Sequence, residues 1–139
     1  MKRGLLLNSR VSSVISKMGH TDSLTIADAG LPIPDSTERI DLALKAGIPA
    51  FSDVLSTVLS ELCVERVVLA NEIKDFNPTG LKEIENIINR YEKESGFTIT
   101  IEFMPHENFK HETTASNAVI RTGEIKPYAN IILYSGVVF

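Results

Sequence analysis

The run Val64-Glu65-Arg66-Val67-Val68-Leu69-Ala70 has the length and apolar character of a strand buried on both faces, and it constrains the fold more than any other stretch. Upstream, Phe51, Val54, Leu55, Val58, Leu59 and Leu62 recur at three- and four-residue spacing, the core-facing stripe of a helix that follows the Gly47-Ile48-Pro49 break. Downstream, Asn71-Glu72-Ile73-Lys74 and an Asn77-Pro78 turn lead into a second helix over about 79–94. Its Leu81, Ile84, Ile88 and Tyr91 face inward, and Gly96 stops it. Helix, buried strand and helix in succession call for an α/β fold whose sheet is covered.

The rest of the chain continues the alternation. Residues 4–7 suit a short first strand, and Asn8 or Ser9 offers an N-cap for a helix carrying Val11, Val14, Ile15 and Met18, with Gly19 as its C-cap. Ser23–Ala27 reads as a buried strand, followed by a loop stiffened by Pro32 and Pro34. The alternation over 39–44 suits a strand, 98–104 another, and 107–114 a short polar helix on which His111 faces solvent. Residues 118–121 and 131–134 form the last two strands, joined through Thr122-Gly123-Glu124 and Pro127-Tyr128-Ala129-Asn130. The expected architecture is a three-layer α/β/α sandwich with a mixed, mostly parallel sheet, antiparallel or mixed at the edge where the last two strands lie. With no repeat, low-complexity segment or linker, residues 1–139 are expected to form a single domain.

Composition narrows the partners. A net charge of -4, no Trp and 6% aromatic residues leave no basic stripe and no stacking platform, which disfavours nucleic acid. The one cysteine, Cys63, excludes an intrachain disulfide framework and, at an apolar helix end, is expected to be a buried inert thiol. Leu5 to Leu7 is too short for a signal-peptide core and no run reaches membrane-spanning length, so the expected compartment is the cytoplasm. No Gly-rich phosphate loop, His-Glu-x-x-His or Gly-x-Ser-x-Gly is present, so neither a cofactor nor a metal is expected.

The groups left to do chemistry sit on loops and element ends: His20, Asp28, His106, Tyr128 and Asn130. Asp28 ends the Ser23–Ala27 strand, where open α/β sheets bind ligands. It is equally good turn chemistry ahead of Ala29-Gly30. His20 follows a helix end, where an imidazole can act on a ligand or simply answer terminal carbonyls; one strand separates it from Asp28, and the two can come close in space. His106 lies at a second strand exit and is also suited to a helix start, while Tyr128 and Asn130 can be rim or turn residues. Glu72 lies just past a strand end too, although a loop Glu beside a Lys is usually solvated. Histidine exchanges protons near neutrality, Asp accepts, Tyr donates or accepts and Asn does both, a set suited to a small ligand rich in hydroxyls. Positioned acid-base groups alone supply about 10² to 10⁴ in rate, enough for a reaction already slow but spontaneous in water. Sugar ring opening and closing is one.

Residues 2–8, Gly19-His20-Thr21-Asp22, 28–34, Arg39-Ile40-Asp41, Glu72-Ile73-Lys74, Arg121-Thr122-Gly123-Glu124 and 127–133 together resemble the D-ribose pyranase (RbsD) family, over nearly the whole chain. The resemblance implies cofactor-free interconversion of the pyranose and furanose forms of D-ribose in the cytoplasm, supplying furanose to ribokinase. It implies that His20 is the acid/base residue, that Asp28, His106, Tyr128 and Asn130 hold the sugar, and that the protein is a homodecamer with sites at subunit contacts. The fucose mutarotases are similar in plan but carry a histidine where this chain has Gly30, which favours ribose. The alternatives are a mutarotase for another aldose such as fucose and a non-catalytic ribose-binding module.

Overall fold

The computed structural model describes residues 1–139 and contains one six-stranded sheet. Its strands are β1 (Ser23–Ala27), β2 (Arg39–Asp41), β3 (Val64–Ala70), β4 (Thr100–Met104), β5 (Ala118–Arg121) and β6 (Ile131–Ser135), in the order β2-β5-β1-β6-β3-β4. β1 pairs in parallel with β5, β5 with β2 and β3 with β4, while β6 runs antiparallel to β1 and to β3. The antiparallel strand therefore lies inside the sheet, not at the expected edge. All five residues of β6 are buried, which suits a central strand, and the segment 122–130 is long enough to pass over β1 instead of turning back as a hairpin.

Period-two alternation along the strands divides the core in two. Leu24, Ile26, Val67, Leu69, Ala118, Ile120, Ile131 and Leu133 face one side, where they pack with residues of α1 (Ser9–Lys17), α2 (Phe51–Leu59), α3 (Ile73–Phe76) and α4 (Pro78–Ser95). Ala27, Val68, Ala70, Val119, Ile132 and Tyr134 face the other, under Leu31, Ile33 and Phe109 of α5 (His106–Glu112). The result is the expected α/β/α sandwich, with one thick helical layer and a thin one made of α5 and the proline loop. Leu55 and Val58 of α2 are essentially fully buried, and such side chains each contribute about 1.5–3 kcal/mol by leaving water.

The punctuation residues act largely as read. Asn8 caps α1 by accepting from the Val11 N–H at 3.0 Å. Asn77 caps α4 by accepting from the Gly80 N–H at 3.0 Å with Pro78 next in line, and Gly96 ends that helix at φ 77°. Four readings change. Residues 4–7 form no strand: Leu5 and Leu7 are exposed and only Leu6 reaches the core, so the run has no buried face to pair on. Gly19 is not the C-cap of α1; the helix stops at Met18, which is extended, and the left-handed residue is Thr21 at φ 70°. The strand over 39–44 ends at Asp41, whose carboxylate accepts the Ala43 N–H at 3.0 Å and turns the chain. Cys63 is only partly buried, because Leu62 and Val64 on either side take the interior; its thiol lies 3.4 Å from the Val137 carbonyl.

Candidate functional site

Because β6 is antiparallel to both β1 and β3, the strands β1, β3, β4 and β5 all point the same way. Their C-terminal ends, and the start of β6, therefore meet at one edge of the sheet, where α/β folds bind ligands. A cleft of about 530 Å³ opens there, lined by Asp28 and Gly30 after β1, His106 after β4, Glu124 after β5, and Tyr128 and Asn130 ahead of β6. Its size lies within the usual range for small-molecule sites.

Each group is tied down locally. Asp28 and Asn130 exchange two hydrogen bonds, Asp28 N–H to Asn130 Oδ1 and Asn130 Nδ2 to Asp28 Oδ2, each 2.8 Å. Asp28 Oδ1 also accepts from the Gly30 N–H at 2.9 Å, so the turn chemistry read from the sequence is present alongside the placement in a cleft. An ionised carboxylate has about four acceptor sites, which leaves Asp28 capacity for a ligand hydroxyl. Thr122 donates its hydroxyl to the Ala27 carbonyl at 2.8 Å, and Arg121 Nε donates to the Ala29 carbonyl at 3.1 Å, holding the β1 and β5 exits together.

Tyr128 adopts a left-handed backbone at φ 57°, uncommon for a bulky residue and costly enough to need local support. Asn77 Nδ2 supplies it by donating to the Pro127 carbonyl at 3.0 Å, and the Phe76 ring lies 5.5 Å from that of Tyr128. Tyr128 in turn meets the His106 imidazole edge to face at 5.0 Å, and His106 stacks on Phe109 at 6.3 Å. His106 Nδ1 is buried with no hydrogen-bond partner in the chain, so the imidazole's exposed hydrogen-bonding capacity lies at Nε2.

Four of the five residues singled out from the sequence thus converge on one cleft. His20 does not join them. It sits ahead of β1, at the opposite edge of the sheet from Asp28, and its Nε2 lies 3.1 Å from Glu65 near the start of β3. The five residues of β1 between them span roughly 16 Å, so within one chain His20 and Asp28 cannot share a small ligand. The expected proximity fails because a strand separates its own two ends. Glu124 and Lys126 also line the cleft. From the sequence Thr122-Gly123-Glu124 is a connection between strands and part of a family motif, with no site role for Glu124; its place just after a strand of the parallel set is the available signal. Glu124 is nearly buried, its Oε1 accepting from the Ile125 and Lys126 N–H groups at 3.0 Å each. No three His, Cys, Asp or Glu side chains cluster in a way that could hold a metal ion.

An α/β sandwich with a cleft where its parallel strands end, into which Asp28, His106, Glu124 and Asn130 bring a few polar groups, has the form of a small-molecule binding protein. The chain belongs to the RbsD / FucU transport protein family, whose model matches residues 1–138. A D-ribose pyranase of Proteus mirabilis is 55% identical and one of Haemophilus influenzae 54%, each over 139 residues that span the whole of both chains. The structure of Bacillus subtilis RbsD complexed with D-ribose aligns over all of both chains at 45% identity and a TM-score of 0.90. A fucose mutarotase from Streptococcus pneumoniae in complex with L-fucose shares the fold, at 23% identity and a TM-score of 0.83.

Proposed function

We propose that this chain interconverts the pyranose and furanose forms of D-ribose. The observation that carries the reading is the convergence of Asp28, His106, Tyr128 and Asn130 on one cleft in a chain 54–55% identical, end to end, to two D-ribose pyranases. The reaction moves protons between oxygens and little else. The anomeric hydroxyl of the pyranose loses a proton as the ring oxygen gains one and the bond from that oxygen to C1 breaks. The open aldehyde then closes when the C4 hydroxyl adds to C1, giving up its proton while the carbonyl oxygen takes one. His20 is the acid/base residue in this reading, and Asp28, His106, Tyr128 and Asn130 hold the hydroxyls and fix which oxygen faces C1.

Since His20 and Asp28 lie at opposite edges of the sheet, a site containing both needs His20 from a second copy. That supports assembly as a homo-oligomer, a decamer by resemblance, with sites at subunit contacts. No helix is long and apolar enough to cross a membrane. The proposed setting is the cytoplasm, where the furanose would supply ribokinase.

Saturation-transfer NMR on D-ribose tests the reading: exchange between ring forms is expected to speed up with the protein and to lose nearly all of that gain with His20→Ala. Unchanged exchange with the unmodified chain overturns it. The family's description as transport proteins favours one second reading, a non-catalytic sugar-binding module. Saturable D-ribose binding without faster exchange is its signature, and faster exchange with L-fucose but not D-ribose would move the assignment to the other branch of the family.

A further inference from the structure

One wall of the cleft is held by a residue outside it. β3 and β4 pair in parallel with Ala70 opposite Met104, and the ladder runs one bond further, the Asn71 N–H donating to the Met104 carbonyl at 2.8 Å. The segments leaving both strands stay neighbours, and Glu72 reaches across to the start of α5. Its two carboxylate oxygens accept the His106 N–H at 3.0 and 3.1 Å. α5 has no cap of its own, because Pro105 stands at that position and makes no side-chain hydrogen bond. Without Glu72 the His106 N–H is one of the unsatisfied donors that a helix start leaves behind. A charged acceptor makes this bond stronger than a neutral one.

The same short segment also holds the neighbouring wall. Phe76 packs on Tyr128, and Asn77 donates to the Pro127 carbonyl. Six residues, 72–77, therefore set the relative position of His106 and Tyr128, which come from separate elements and meet edge to face at 5.0 Å. Glu72 itself does not line the cleft.

We propose that Glu72 is a positioning residue for the sugar site, holding the His106 backbone so that the imidazole stays against Tyr128 at the cleft wall. This rests on the reading of the cleft as the D-ribose site. Glu72 acts through His106 and leaves the sugar untouched.

A double-mutant cycle tests it, with Glu72→Ala, His106→Ala and both together, and Glu72→Gln as the conservative variant. D-ribose exchange is followed by saturation transfer, D-ribose affinity by calorimetry, and the His106 ring by its proton–carbon NMR resonances. Glu72→Ala is expected to slow exchange roughly tenfold to a hundredfold, the loss expected for one hydrogen bond to a charged group. Glu72→Gln keeps an acceptor oxygen and restores most of the rate. In the His106→Ala background, Glu72→Ala costs nothing further in rate or affinity, because the two act as one unit. A loss that persists in full in that background overturns the proposal, as does a Glu72→Ala variant with unaltered rates. The His106 resonances are expected to shift in Glu72→Ala and to return in Glu72→Gln. That readout needs no turnover: if the unmodified chain fails to speed exchange while the resonances still follow Glu72, the enzymatic reading falls and the positioning role stands. Resonances that do not move sink the positioning role at any rate of exchange.

Discussion

Asp28 and Asn130 hold each other twice, backbone N–H to side-chain oxygen in one direction and side-chain amide to carboxylate in the other, both at 2.8 Å. The pair ties the exit of β1 to the entry of β6, two antiparallel neighbours at the cleft floor, and Asn130 is only 1% exposed. A side chain that both donates and accepts is required there, and the Asn amide does so from two separate atoms, Oδ1 taking the Asp28 N–H and Nδ2 reaching the carboxylate.

Replacing that amide should therefore affect fold and ligand together. Asn130→Ala leaves the Asp28 N–H without its acceptor, a loss of about 1–3 kcal/mol in urea unfolding. Asn130→Asp keeps an acceptor for the N–H but sets a second carboxylate against Asp28, and like charges that close make the loss of the second of the pair's two protons harder, raising that step. A raised carboxyl value means stability present in acid and lost as pH rises through it. The Asn130→Asp variant is thus expected to be less stable than the unmodified chain at neutral pH and to regain ground toward the carboxyl range, where one shared proton restores the donor. Equal stability loss at every pH would show that charge is not the cause.

His20 should behave in the opposite way. Its side chain is 52% exposed and that of its partner Glu65 46%, and exposed pairs contribute between nothing and about 1 kcal/mol. His20→Ala is expected to keep the unfolding midpoint nearly unchanged while D-ribose ring exchange falls by roughly 10² to 10⁴. A variant that loses activity only in proportion to lost stability would point to a structural histidine.

These two sites show what could be read from residues alone. Ser23–Ala27 and Val64–Ala70 have the bounds expected of them, because each is a largely apolar run of strand length, too short for a helix, set between polar or turn-forming residues. Asp28, His106, Tyr128 and Asn130 were legible as residues at element ends, and parallel strands bring such ends to one edge. Topology was not legible: nothing in Ile131–Ser135 says that it inserts between β1 and β3, and that insertion is what makes those two strands parallel. Nor was the separation of His20 from Asp28 visible until the strand between them was laid in the sheet. Glu72 looked like a solvated loop carboxylate because its partner is a backbone N–H 34 positions away, to which no spacing rule points.

Gly30 lines the cleft and Gly123 directly precedes Glu124, which does, yet the two glycines should respond differently to a methyl group. A Cβ on Gly123 would overlap the backbone of Ile48 and Lys45, because the loop is strapped down by the Gly123 N–H donating to the Pro49 carbonyl at 2.9 Å and the Gly47 N–H to the Gly123 carbonyl at 2.6 Å. Backbone cannot rotate away as a side-chain tip can, so Gly123→Ala is expected to cost about 1–3 kcal/mol or more. A Cβ on Gly30 meets nothing closer than Asp28 Oδ1 at 3.6 Å, ordinary contact. Gly30→Ala should leave stability within about 0.5 kcal/mol and, because Gly30 lines the cleft, show its effect in D-ribose affinity. Thermal unfolding of the two variants side by side checks the contrast.

Alkaline pH probes the thin layer of the sandwich. The Tyr134 hydroxyl donates to Glu112 Oε1 at 2.6 Å, and the Arg66 guanidinium lies over the ring at 3.6 Å from its centroid. Burial first, then the hydrogen bond to Glu112 and that carboxylate's charge, push the phenol from its ordinary 10 up to about 12, against the opposing pull of Arg66. The folded chain therefore keeps the Tyr134 proton at pH values where the unfolded chain releases it. By linkage, the contribution of Tyr134 to stability is fully present below about pH 10 and is lost as pH rises through the folded value near 12. Tyr134→Phe is expected to flatten this part of the alkaline limb in urea unfolding, and the difference in phenolate absorbance between the two proteins should place the folded-state midpoint well above 10. Glu112→Gln should move that midpoint down only part of the way, since burial, the largest single cause, remains. A return all the way to the ordinary value would assign the shift to the carboxylate instead.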